Sequence, residues 1–188
     1  MTTISPRTPA RPWVKVLIVL GCAVTASMWV FYFVFATDRG VYQMQDKSWR
    51  LAAEQICADA TLEREALTDL NGGYIAKPTK EQMLQRACIV DRATDILDQM
   101  LTDLVAIPVN NDDDRLRLQI FEKNYRLILD DRRRYTANLR RFDLEPYNET
   151  VVGGGPVSNV VLDFTAGVKG NDVPACSPPG ELGGDVKA

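Results

Sequence analysis

The 188-residue sequence contains no histidine and only four cysteines. Without histidine there is no imidazole general base, no Ser–His or Cys–His pair and no histidine metal site. The glycine-rich and nucleophile motifs GxGxxG, GxxxxGK[ST] and GxSxG are also missing from the sequence. An enzyme would have to use carboxylates alone, as glycoside hydrolases do, and Glu63 and Asp91 are acids of that kind. We therefore expect a protein that is not an enzyme, with no catalytic residue, no cofactor and no metal.

Cysteine positions predict one disulfide. Cys57, Cys88 and Cys176 lie outside the apolar N-terminal stretch, and their dispersed spacing matches no zinc motif. Cys57 and Cys88 flank the apolar stripes of consecutive predicted helices, at heights that differ by about one turn when counted from the hairpin tip. Since a bridge needs Cα atoms within about 7 Å, we predict a Cys57–Cys88 disulfide. The alternative is two small buried thiols without a bond.

Two charged clusters are candidates for ion binding. Residues 110–114 (NNDDD) lack the DxDxDG pattern and trailing Glu of a calcium loop, so they predict the capped start of a helix. The same helix carries a basic run in its later half: Arg132, Arg133, Arg134, Arg140 and Arg141. This run is typical of a helix C-terminus, neutralised by the adjacent Asp130 and Asp131. The alternative is a site for phosphate, an anionic polymer or lipid headgroups.

The N-terminal region predicts a membrane anchor. Residues 16–35 contain no charged side chain and as a helix would span roughly 30 Å, the thickness of a bilayer's hydrocarbon core. Residues 1–12 are basic and the far flank is neutral, so we expect the N-terminus in the cytoplasm, the anchor over 13–37 and the rest outside. The alternative is a signal peptide cleaved after Ala36 or Ala26, although the apolar stretch exceeds the usual signal length.

The remaining chain predicts helices followed by a tail. Apolar residues recur every three or four positions from Gly40 to Leu70, from Thr79 to Ala106, and again up to Phe142. Thr79 with Gln82 has the form of a capping box at the start of the second helix. The fold class expected is all-α: the transmembrane helix, an up-down-up bundle of three long helices over residues 38–143, then a flexible Gly/Pro-rich tail. In the tail, residues 144–188, we expect disorder except for a short segment, 157–164, that forms a strand or docks on the bundle.

Two charges interrupt the apolar stripes. Glu63 lies in the first stripe and Arg132 in the third, at similar heights when each helix rises about 1.5 Å per residue. If the first and third helices are parallel neighbours, Glu63 and Arg132 meet as a partly buried ion pair that fixes helix register. In the alternative, one or both side chains extend outward into solvent and never touch.

One resemblance rests on short helical motifs. The pattern Trp49-Arg50-x-x-Ala53-Glu54-x-Ile56-Cys57, the second helix and the segment Arg132-Arg133-Arg134-Tyr135 resemble a loose group of uncharacterised actinobacterial single-pass membrane proteins. These proteins have a short basic N-terminus and a helical extracytoplasmic domain. The resemblance covers roughly residues 10–143 and implies a location in the plasma membrane, but no activity.

Two functions fit these features. The first is a non-enzymatic envelope protein, anchored in the lipid bilayer through residues 13–37, that serves as a scaffold or accessory subunit for a protein partner. The alternative is an extracytoplasmic ligand-sensing or solute-binding helical module, with its pocket between helices, acting with a partner protein. A net charge of −3 with intermixed signs gives no reason to expect nucleic-acid binding. The sequence does not define the oligomeric state.

Overall fold

The computed structural model describes residues 12–31, 42–67, 77–180 and 182. The chain divides into two compact units, Met1–Arg39 and Gly40–Ala188. The elements in chain order are α1 (Pro12–Val30), α2 (Lys47–Glu65), α3 (Lys80–Ala106), α4 (Asp112–Arg140), β1 (Val151–Val152), β2 (Gly155–Pro156), α5 (Val157–Thr165) and a 3-10 helix (Pro174–Cys176). The prediction of a mostly helical chain that begins with one apolar helix is confirmed.

Helix α1 makes up the described part of the first unit. Among the described helices, it is the one long and apolar enough, by length and composition, to cross a membrane. Its few hydroxyl groups are satisfied within the helix: Thr25 donates to the carbonyl of Gly21 at 2.9 Å and Ser27 to that of Ala23 at 2.8 Å. Such internal hydrogen bonds are what a lipid environment requires of polar groups. Residues 32–37 of the predicted anchor lie outside the described residues.

Local capping signals set the helix boundaries of the second unit. Thr79 and Gln82 form the predicted capping box at the start of α3, and Asn111 caps α4 with three acids in its first turn. Helix α2 begins later than the predicted helix from Gly40 to Leu70. The carboxylate of Asp46 accepts a hydrogen bond from the N–H of Ser48 at 2.9 Å and so caps the start of α2. Residues 42–46, hereafter the junction segment, precede that cap and are not helical.

The helices of the second unit are closed by the C-terminal part of the chain. Helix α3 packs against α2 and α4, α5 packs against α4, and the 3-10 helix packs against α2 and α5. Over their described lengths, no Cα of α2 lies within 8 Å of a Cα of α4. Helix α5 contributes the ring between them: Phe164 stacks on Phe121 of α4 at 4.5 Å between centroids and meets the edge of Trp49 of α2 at 5.9 Å.

The prediction of a mostly disordered tail over residues 144–188 is wrong for most of its described part. Val157, Val161 and Phe164 of α5 belong to the main core, in a helix rather than a strand, together with Val173 and Cys176. The tail alone has too few large apolar residues to form a core, but these few enter a core that the long helices supply.

Glycines of the expected flexible Gly/Pro-rich tail instead form tight turns. Gly153 and Gly154 have φ values of +63° and +89° and connect the two strands of a short antiparallel hairpin. After α5, a Cβ on Gly170 would come within 2.6 Å of the carbonyl oxygen of Asp163, so glycine permits the close approach of the two backbones. The chain is thereby turned back toward the junction segment.

Candidate functional site

The candidate site is a cleft of about 500 Å³ between α2 and α3. Its floor is apolar: Ile96 and Met100 of α3 are 9% and 3% exposed, and Ile56 and Ala60 of α2 are partly buried. The packing of Trp49, Ala53 and Cys57 buries the first half of α2. Past Cys57, apolar side chains of both helices line an open groove rather than a closed core.

Acidic side chains surround this floor. The rim carries four acids, one arginine and one glutamine: Asp59, Glu63, Asp95, Asp103, Arg92 and Gln99. Asp59 accepts a hydrogen bond from Gln55 at 2.9 Å, and Asp103 accepts one from Gln99 at 2.9 Å. Among the described residues, no group of three or more His, Cys, Asp or Glu side chains could hold a metal ion. A negatively charged rim over an apolar floor is suited to an organic cation that also has an apolar face.

The structure does not bring Glu63 and Arg132 together, so the predicted ion pair is wrong. Glu63 is an exposed residue on the cleft rim. Arg132 is 1% exposed, and its Nε donates to the hydroxyl of Thr94 on α3 at 3.0 Å. Among the described residues, no ion pair joins it to Glu63. The physical reason is that α2 and α4 are not neighbours, because α3 on one side and α5 with the 3-10 helix on the other separate them.

The predicted Cys57–Cys88 disulfide is also wrong. Cys57 is bonded to Cys176, with the two Cα atoms 4.9 Å apart, and Cys88 is an exposed free cysteine. Cys57 faces the core at 0% exposed, whereas Cys88 lies one residue past the buried Ala87, on the outer surface of α3. A disulfide requires Cβ atoms that point toward each other. Two cysteines at similar positions along neighbouring helices therefore cannot pair unless both lie on the faces that meet.

The basic run of α4 is neutralised mostly across the helix interface. Arg133 binds Asp95 at 3.1 Å and Asp98 at 3.0 Å, and Arg140 pairs with Asp91. Hydrogen bonding to Asp91 raises the pKa of Arg140 against the opposing effect of burial. Because these partners lie on α3, Arg133 and Arg140 form ion pairs along the α3–α4 contact. Of the neutralising acids expected on α4 itself, Asp131 pairs with Arg134 at 2.5 Å.

Sequence reasoning missed two buried polar residues that hold the junction segment. The carboxylate of Asp114, 0% exposed, accepts hydrogen bonds from the backbone N–H groups of Gln45 and Asp46 at 3.0 Å. Asn171, also 0% exposed, accepts the N–H of Met44 at 2.7 Å and donates to the carbonyl of Tyr42 at 2.9 Å. The local sequence indicates helix capping at Asp114 and disorder at Asn171, and it contains no sign of partners so far along the chain.

The environment of Asp114 keeps it ionised. Burial opposes ionisation, but hydrogen bonds from the N–H of Gln45, the amide of Asn111, the N–H of Asp46 and the guanidinium of Arg117 outweigh it. The pKa of Asp114 therefore lies below its ordinary value. A second buried carboxylate on α4, Asp131, has a similar structural role, accepting the N–H of Thr150 at 2.6 Å and its hydroxyl at 2.8 Å. Both carboxylates are engaged in fixing chain segments to α4.

No protein-family model, curated protein or solved structure matches this chain.

Proposed function

We propose that this chain is a non-enzymatic, single-pass membrane protein of the cell envelope, and that its second unit is a scaffold or accessory subunit for a protein partner. In this proposal α1 is an uncleaved anchor in the plasma membrane, residues 13–37 contact lipid, the N-terminus is cytoplasmic and the second unit is extracytoplasmic. The long helices α2, α3 and α4 then run up, down and up within the second unit.

The observation that carries the proposal is the use of the buried polar groups. Asp114, Asp131 and Asn171 are each at most 1% exposed, and each hydrogen-bonds to the backbone of a distant segment. Carboxylates held in this way stabilise a shape and are not presented to a substrate. Two of the three fix the junction segment, which is where the chain arrives from the anchor. The first described segment of the second unit is hydrogen-bonded to buried side chains, so this domain is held from its start, as a membrane-bound scaffold requires.

The disulfide supports the extracytoplasmic placement. Cys57 and Cys176 are both buried and bonded in the folded second unit. Structural disulfides form and persist in oxidising compartments and are rare in the cytosol. The basic N-terminal flank favours the same topology independently of the cysteines.

Topology and partner are tested in the same intact membranes. A reporter that is active only outside the cytoplasm, fused after Ala188, should be active, and the exposed thiol of Cys88 should react with a membrane-impermeant maleimide. Activity from a cytoplasmic reporter alone at that position would refute the topology. Photo-crosslinking groups on the exposed surface should yield one reproducible protein adduct. Equal yields from every position, as expected for random collisions, would count against a scaffold.

The cleft favours a second candidate function, an extracytoplasmic module that binds a small ligand and acts with a partner protein. Its volume of about 500 Å³ lies within the range of small-molecule sites. The two candidates differ in what accompanies the protein through purification. A small molecule that is displaced when Glu63 is changed to Lys would favour the ligand-binding module, whereas a protein adduct without such a molecule favours the scaffold.

A further inference from the structure

The cleft has the dimensions of a groove for one more helix. Along α2 it extends from Ile56 to Glu63, roughly 11 Å, and along α3 from Arg92 to Asp103, roughly 16 Å, at 1.5 Å per residue. A helix that presents side chains at positions i, i+4 and i+7 covers about 10.5 Å. The apolar floor between α2 and α3 is therefore long enough for about two turns of an added helix.

The charge of the rim indicates what kind of helix fits. Both walls contribute acids: Asp59 and Glu63 lie on α2 and Asp103 lies on α3, whereas Asp95 of α3 is already paired with Arg133 of α4 at 3.1 Å. Among the described residues that line the cleft, Arg92 is the single cation. A complementary helix has an apolar stripe for the floor and basic side chains on both flanks of that stripe, so that each flank meets one acidic wall.

We propose that the α2–α3 cleft is the docking groove for a basic amphipathic helix of a protein partner. This inference rests on the proposed scaffold function and names the chemistry of the partner. Other segments of this chain fit the groove less well. Residues 68–76 (TDLNGGYIA) contain no lysine or arginine, and the basic residues 1–12 lie on the opposite side of the membrane in the proposed topology. In a second copy, Arg126, Arg133 and Arg140 of α4 are already paired with acids.

The test uses the full chain in phosphatidylcholine nanodiscs, with the signal from empty nanodiscs subtracted. The probe is a fluorescent synthetic peptide of about fourteen residues, with leucine at i, i+3, i+4 and i+7 spacing and lysine elsewhere. A second peptide has the same composition with the leucines scrambled. The variant of the groove carries Asp59→Lys and Glu63→Lys. Its matched control carries Asp130→Lys and Asp163→Lys, which reverse two exposed acids that do not line the cleft and so give the same net charge.

The expected result is saturable binding of the amphipathic peptide to the parent chain and to the matched control. The groove variant should bind on the order of tenfold more weakly, since two attractions become two repulsions. The scrambled peptide should also bind the parent chain on the order of tenfold more weakly, because it cannot align an apolar stripe with the floor. Circular dichroism and an intact Cys57–Cys176 bridge show that each variant is folded.

Four results overturn the inference. Equal loss of affinity in both charge variants, or equal affinity for the two peptides, means general electrostatic attraction. Unchanged affinity in the groove variant places the peptide elsewhere. A dimer in sedimentation experiments that the groove variant abolishes assigns the cleft to a second copy of this chain. If the inference fails while crosslinking in membranes still yields a specific protein adduct at other positions, the scaffold proposal stands; absence of any specific adduct overturns the scaffold proposal itself.

Discussion

Replacing Asp114 by asparagine tests how much the hydrogen bonds to the junction segment contribute to the stability of the second unit. The carboxylate accepts hydrogen bonds from four residues. The backbone N–H groups of Gln45 and Asp46 donate at 3.0 Å, the side-chain amide of Asn111 at 2.8 Å and the guanidinium of Arg117 at 2.9 Å. Asparagine has nearly the same shape, but it offers one acceptor oxygen and turns an NH₂ group toward buried donors. The substitution therefore removes the charge and leaves at least one of these donors without an acceptor.

The expected loss in the free energy of unfolding is about 3 kcal/mol. A hydrogen bond to a charged group contributes about 1.5–3 kcal/mol, and a buried donor left unpaired costs about 1–3 kcal/mol. These contributions are not additive, so the expected total corresponds to the loss of one charge-assisted bond plus one unpaired donor rather than to all four contacts. A typical destabilising substitution costs about 1 kcal/mol, so the effect should be clearly resolved.

The same carboxylate predicts a dependence on pH. The pKa of Asp114 is lower in the folded protein than its ordinary value of 3.8, so its contribution is fully present above that value. The contribution is lost as the pH falls below 3.8 and through the folded pKa. The parent and the asparagine variant should therefore differ in stability at neutral pH and converge in acid.

Denaturant unfolding, followed by circular dichroism, measures the free energy, and hydrogen exchange of the amides of Gln45 and Asp46 reports the junction directly. In the asparagine variant these amides should exchange markedly faster than in the parent. The matched control is Asp113→Asn, an exposed acid in the same helical turn, which should change stability by less than about 0.5 kcal/mol. If Asp114→Asn is equally mild and the two amides stay protected, the carboxylate does not hold the junction and the reasoning fails.

Three further predictions follow from other contacts. Replacing Cys57 and Cys176 together by alanine should lower stability by about 2–5 kcal/mol, because the bridge closes a loop across a separation of 119 residues; equal denaturation midpoints with and without reductant would contradict this. Phe142→Gly should stabilise the folded protein by up to about 1 kcal/mol, since Phe142 has φ +61°, a value that favours glycine, just after α4. A loss of stability would show that the contacts of the phenylalanine ring contribute more than the backbone strain costs. Glu63→Ala should lower the free energy of unfolding by less than about 0.5 kcal/mol and Arg132→Ala by several times more, and the two losses should add in the double variant. A coupling energy above about 1 kcal/mol would instead show that Glu63 and Arg132 form the ion pair.

Local signals in the sequence predicted local structure well. The stripe that predicted α3 contains Met83, Ala87, Val90, Leu97 and Leu101, all of which are buried. The capping box at Thr79 and the acidic start of α4 were likewise identified correctly. These features depend on residues within one or two helical turns of one another, so spacing alone determines them.

Long-range arrangements could not be predicted in the same way. Cys176 and Asn171 lie in a stretch of low apolar content, and their importance comes from partners more than a hundred residues away. The spacing of Trp49, Ala53, Ile56 and Ala60 predicts that Glu63 continues the apolar stripe of the first helix. In the structure that stripe passes from the core at Trp49 and Ala53 to the cleft at Ile56 and Ala60, and Glu63 lies on the cleft rim. A single sequence gives helix faces, but it does not reveal that α5 takes the position between α2 and α4.

The pairing of Cys57 with Cys176 has a consequence for biogenesis. In the proposed topology the second unit crosses the membrane in chain order behind the anchor, so Cys57 emerges first, then Cys88, and much later Cys176. If oxidation begins during export, Cys57 meets Cys88 before its native partner, and a 57–88 bond formed at that stage is resolved by thiol–disulfide exchange before the native bond forms. The 3-10 helix and α5 cover the apolar face of α2 only after they too have emerged, so we expect the yield of folded protein to depend on an oxidoreductase or chaperone at this step.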